Sequence, residues 1–325
     1  MMILRAAFAA AAVLSLVSCG VLQYIFGSVF PATTMLAKAQ ADLSGSITRS
    51  DANAFQVRVV ETAGYGYVVV TGNPPSGPEA FVYDLDLNQK AVFNSASGLT
   101  ADGVMVDVNG NIAIGNLLRN PSDLSSVATV TAATLGTNAS SGEDGFADSS
   151  GPSNLFGFFI NSNVMSWSIS SGAWGTPTSP ATPPSISVKL SGLSMYAVFD
   201  DGNPSGGSVY FVIGPSFSNG QVGTVYFFSV PKTGFAVPIN ILDSSPSRDN
   251  LELESFGYAN GSIFAYDSNA ASFVKINPSD GSIEKSFYSA TDAKDTRFAY
   301  RVGGGSFYGF DTQSRILTKY GAWWP

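Results

Sequence analysis

The sequence predicts an all-β fold, a β-propeller of six blades, or of seven if one blade is degenerate. Three observations carry this. Charged residues make up only 12% of the 325-residue chain, while 34 Gly, 23 Phe and 13 Tyr are present. That mix suits short strands joined by tight turns and suits poorly a helical protein rich in Lys and Glu. Apolar strands opened by Gly or Asn begin near residues 65, 111, 155, 208, 262 and 306, about 44–54 residues apart. Each is followed by a second and third strand, and a repeat of roughly 40–50 residues with three or four strands is the spacing of propeller blades.

The repeats read in order as follows. "YGYVVVTG" (65–72) leads to "EAFVYDLDLNQKAVF" (79–93), and "GVMVDVNGNIAIGN" (103–116) to "SVATVTAATLG". "NLFGFFINSNVMSWSISSGAW" (154–174) is the third, and "GSVYFVIG" (207–214) with "GTVYFFSVPKTGFAVPI" the fourth. "GSIFAYDSNAASFVKINPSDGSIEKSF" (261–287) and "GSFYGFDTQSRILTKYGAWWP" (305–325) complete the series. "SVYFVI" is apolar on both faces, as an inner strand between blades would be, whereas "SFVKIN" alternates, as a strand further out would. A seventh blade would have to lie in 125–153 or 175–205. Ring closure is expected to pair "FQVRVV" (55–60) with the last blade. A long β-sandwich or two β domains is the alternative architecture.

Ahead of this body, residues 1–18 carry Arg5 as a short basic region and an apolar core from Ala6 to Val17, the layout of a signal peptide. Leu16-Val17-Ser18-Cys19 follows and resembles the lipobox of bacterial lipoproteins. The resemblance implies cleavage before Cys19 and lipidation of that residue, the chain's single cysteine. Each buried acyl methylene contributes roughly 0.8 kcal/mol, and stable anchoring takes more than one chain. Gly20 in place of Asp is compatible with outer-membrane sorting where the enteric rule holds. After Cys19, "GVLQYIFGSVF" stays apolar, so Met1 to Phe30 also reads as an uncleaved span of about 20 residues or more; alternatively Val21 to Phe30 packs on the body or lies at the lipid interface. Residues 19–53 are expected to be the lipidated N-terminus and tether, and 54–325 the propeller.

Two segments carry family-like motifs. "VMVDVNGNIAIGN" resembles the strand-turn-strand unit of NHL-type propeller repeats, and "FVKINPSDGSIEKSF" resembles the unit of quinoprotein-like propellers. Both imply architecture and leave ligand open. The Trp-Asp signature of WD40 repeats and the repeated double-glycine pattern of kelch propellers are absent.

Composition excludes several chemistries. The chain has no histidine, which removes the commonest general base and metal ligand and every Ser-His-Asp arrangement. One cysteine allows neither an internal disulfide nor a thiolate cluster. With a net charge of −8 and no block of Lys or Arg, no nucleic-acid partner is expected. Between Asp102 and Asp201 eight acids face only Arg119 and Lys189, whereas five bases face two acids from Lys294 onward.

The candidate ligand or cation contacts are therefore acidic loops. "SSGEDGFADSSG" (140–151) offers Glu143, Asp144 and Asp148, and "DDGNPSGG" (200–207) offers Asp200 and Asp201, the latter pair at a place suited to the axial mouth of a propeller. Carboxylates at this density can hold Ca²⁺, although no metal site and no other cofactor is assigned. "YDLDLNQK" spaces Asp84, Asp86 and Asn88 like the front of a calcium loop, but Gln89 stands where such a loop needs Gly. A strand-end turn is the expectation there, as at "DVNGN" (107–111). "GTPTSPATPPS" (175–185) reads as an extended surface loop, and Trp323 and Trp324 as packing for the closing strand.

Three functions remain. One is an envelope lipoprotein held to the membrane through Cys19, its propeller a non-catalytic binding or scaffolding platform for a protein or glycan. A second is a carboxylate-dependent propeller enzyme, glycan- or lactone-active and Ca-assisted. A third is a subunit of an envelope assembly complex.

Overall fold

The computed structural model describes residues 35–62, 64–99, 103–106, 110–129, 146–148, 154–159, 163–168, 173–174, 193–203, 207–215, 225–231, 239–242, 253–267, 271–279, 281–288, 293 and 295–321. Strand β1 is Ala37–Asp42. Blade 1 holds β2 (Phe55–Thr62), β3 (Tyr65–Gly72), β4 (Glu79–Asp84) and β5 (Gln89–Asn94). Blade 2 holds β6 (Val104–Val106), β7 (Ile112–Ile114), β8 (Leu117–Arg119) and β9 (Ser126–Thr129). Blade 3 holds β10 (Phe146–Asp148), β11 (Asn154–Phe159), β12 (Asn163–Ser168) and β13 (Ala173–Trp174). Blade 4 holds β14 (Leu193–Asp200), β15 (Ser208–Pro215), β16 (Val225–Pro231) and β17 (Ile239–Leu242). Blade 5 holds β18 (Leu253–Ala259), β19 (Ser262–Asp267), β20 (Ser272–Ile276) and β21 (Ile283–Tyr288). Blade 6 holds β22 (Thr296–Tyr300), β23 (Ser306–Asp311) and β24 (Ile316–Gly321), with β1 as its fourth strand.

The fold is thus all-β, a β-propeller, with six four-stranded antiparallel sheets among the described residues. The first strand of one blade lies beside the first strand of another: β22 beside β2, β2 beside β6, β6 beside β10, β14 beside β18, and β18 beside β22. The cores sit between blades, which is why so many strands are apolar on both faces. In β19, Ile263 and Ala265 join Phe199, Tyr210 and Val274 on one side, while Phe264 and Tyr266 join Phe273, Phe298 and Phe307 on the other. Burying both faces of a strand in this way removes about 25 cal/mol of unfavourable hydration per Å² of apolar surface.

Two expectations change. Residues 55–60 do not close the ring; they lie in β2, which pairs residue for residue with β3 from Phe55↔Gly72 to Thr62↔Tyr65. Closure falls instead to β1, within the stretch expected to be tether, where Ala39↔Lys319 and Asp42↔Ile316 pair antiparallel. β1 has no fully buried residue, and its apolar face is alanine alone, with Ala39 and Ala41 partly buried against the core; backbone pairing to β24 places it. The second change is radial. "SVYFVI" and "YGYVVVTG" are second strands, and a first strand precedes each of them: β14 and β2.

Candidate functional site

Neighbouring strands within each blade are antiparallel and, in blades 1 to 5, follow chain order, so first–second and third–fourth turns emerge on one face of the ring; in blade 6 the fourth strand is β1, and only the first–second turn lies on that face. The first–second turns meet at its centre. Thr62 Oγ1 donates to the Gly110 carbonyl (3.1 Å), joining blades 1 and 2. Asn260 N–H donates to the Val302 carbonyl (2.8 Å), joining blades 5 and 6. Arg301 donates from Nε (2.9 Å) and Nη2 (2.7 Å) to Oε1 of Glu61, joining blades 6 and 1. The turn after β14 reaches both of them: a Cβ at Gly202 would stand 3.1 Å from Val302 Cγ2 and 3.3 Å from the Glu61 carbonyl. Gly202 also has φ +71°, a conformation that L side chains adopt at a cost.

Asp201 lies in that turn. Its Oδ1 accepts from Asn203 N–H (3.0 Å) and its Oδ2 from Ser208 N–H (2.9 Å), so the carboxylate holds its own loop. Burial raises the pKa of the nearby Tyr258 phenol, and the Asp201 charge adds to the rise. Glu61 is only partly engaged: its Oε2 is buried without a hydrogen-bond partner. Among the described residues, the central mouth therefore presents backbone carbonyls, Thr62, Asn260, the Asp201 turn, the Glu61–Arg301 ion pair and the orphaned Glu61 Oε2. The Glu61–Arg301 pair is invisible to local sequence patterns, because 240 positions separate its members.

The outer ring of the same face is made of third–fourth turns built alike. Asp84 Oδ1 accepts from Asp86 N–H (3.0 Å) and Asn88 N–H (2.9 Å). Asn120 Oδ1 accepts from Ser122 N–H, and Asn277 Oδ1 from Ser279 N–H, both at 2.9 Å. "NPSD" recurs in the last two turns (120–123 and 277–280). Each turn then needs a left-handed residue, supplied by Leu87, Leu124 and Gly281. Lys90 and Lys319 engage Asp84 and Asp86 at 2.9 and 2.7 Å. "YDLDLNQK" is thus a strand-end turn with its carboxylates taken. Partial burial would raise the Asp84 pKa, but the Asn88 side chain and N–H, Lys90 and the Asp86 N–H outweigh it and bring it to about 2.

Of the remaining sequence candidates, Asp148 lies in β10 opposite Phe156 and Asp200 in β14 opposite Val209. Cys19, Glu143, Asp144, the loop 175–185, and Trp323 and Trp324 lie outside the described residues. So do Asp107 and Asn109. Among the described residues no three His, Cys, Asp or Glu side chains gather as a metal site, and no helix is long and apolar enough to cross a membrane.

No family model and no curated protein sequence matches the chain. Among solved structures it is similar to the β-propeller domain of Cps50 (Swd1) from Myceliophteria thermophila, with 9% sequence identity and a TM-score of 0.48 over 83% of this chain and 98% of that one.

Proposed function

We propose that the protein is a bacterial envelope lipoprotein, anchored through Cys19, whose propeller is a non-catalytic binding platform. The observation that carries the binding role is the state of the acids on the mouth face. Asp84 and Asp201 accept from their own turns, and Glu61 grips Arg301. Groups committed to holding turns and blades together make a rigid surface, and rigid scaffolds presenting loops are how such folds bind. Tyr65, 43% exposed at the start of β3 beside the first–second turn of blade 1, offers an aromatic contact on that face.

Anchoring is tested by Cys19→Ala with membrane fractionation and acyl labelling. Loss of both label and membrane retention is expected; full retention without label would replace the lipid anchor by an uncleaved apolar span. The platform is tested by a photo-crosslinking residue at Tyr65 or, on the opposite face, at the exposed Gln313 in the β23–β24 turn. Adducts in intact envelopes are expected from position 65 and not from 313. The reverse pattern, or none, counts against binding at the mouth face.

A further inference from the structure

Arg119 ends β8 at the seam between blades 1 and 2. It is 8% exposed, and its guanidinium carbon sits 4.7 Å from the centre of the Phe93 ring on β5. Its Nε is sealed from solvent and has no hydrogen-bond partner. Its terminal nitrogens are not sealed in this way, and no ion pair engages it among the described residues. Burial works against its charge, and no carboxylate offsets that effect. A buried cation is ordinarily paired, because removing it from water costs several kcal/mol. Here an aromatic face supplies part of the compensation, and among the described residues no partner engages the guanidinium's fork.

We propose that Arg119, seated on Phe93, is a receptor for a ligand carboxylate at the blade 1–blade 2 seam, separate from the central mouth. The fork matches a carboxylate in two parallel hydrogen bonds, and the Phe93 ring fixes its plane. One guanidinium in a chain of net charge −8 fits a singly charged group better than a phosphate. The carboxylate comes from a small acid or from an acidic peptide side chain.

The test is calorimetric titration of the full chain with an oligoglutamate peptide, with acetate and with inorganic phosphate. Saturable binding of the peptide, of acetate or of both is expected, and which of them binds identifies the source. Arg119→Lys should weaken binding at least tenfold, since the charge stays while the fork is lost. Arg119→Gln should abolish it, and Lys38→Gln should leave it unchanged. If Arg119→Gln does not fold, as judged by circular dichroism, Arg119→Lys and Phe93→Leu carry the comparison. Absence of binding by both carboxylate probes, equal affinity in wild type and Arg119→Lys, or tighter binding of phosphate than of acetate would overturn the proposal.

Discussion

Ser255 does two unusual things. It has φ +57° at the bulge where β18 slips register between Glu254 and Gly257. Its hydroxyl accepts from Phe298 N–H, on the first strand of the next blade, at 2.9 Å. Both residues are buried, so removing the acceptor strands an amide away from water, at a cost of about 1–3 kcal/mol. Ser255→Ala should lower stability by that amount in urea unfolding. Ser255→Gly loses the same acceptor but relieves the backbone, which is worth roughly 1 kcal/mol, and should fall between Ala and wild type. Gly72 is constrained from outside: a Cβ there would lie 2.4 Å from the Ala54 carbonyl oxygen. Gly72→Ala forces backbone to move and should lower stability by about 1–3 kcal/mol, the usual cost of overpacking.

Among elements, the third–fourth turns are where acid should be felt. The folded Asp84 carboxyl titrates near 2, below the ordinary range of about 4. A depressed carboxylate adds stability that is fully present above the unfolded value and is lost as pH falls toward the folded one. Urea midpoints should therefore drop between about pH 4 and pH 2, and Asp84→Asn should lack that share of the drop. These turns were legible, because Asp or Asn followed by turn residues is a local signal. So were the second and third strands, whose apolar runs are bounded by Gly and Asn. First strands were harder. "TRFAY" is short, and "LESFGYA" has Ser255 and Gly257 at its bulge. β1, "AKAQAD", has good helix formers and an apolar face of alanine only, of which Ala39 and Ala41 are partly buried. At the mouth, the Asp201 turn could be located from its Gly and Pro content, whereas Glu61 and Arg301 meet only because the ring brings its first and last blades together.

For the whole molecule, stability should reside in the seams. Phe273 packs edge-on to Phe298 and Phe307 with ring centres 4.9 and 5.5 Å apart, fully buried between blades 5 and 6. Phe273→Ala should cost about 3–5 kcal/mol and lower the melting temperature of the whole ring rather than of one blade. Deleting residues 37–42 should instead take only the partly buried Ala39 and Ala41 from the core and bare the hydrogen-bonding edge of β24. Such an edge recruits strands from other chains, so the expected result by size-exclusion chromatography is dimers and larger assemblies.

The pairing of β1 with β24 also sets an order in time. Ala37–Asp42 is among the first parts of the body to be made, and its partner Ile316–Gly321 among the last. Contacts that span nearly the whole chain are the slowest to form. Until Ile316–Gly321 has been made, β1 has no partner strand, and the ring keeps an open rim.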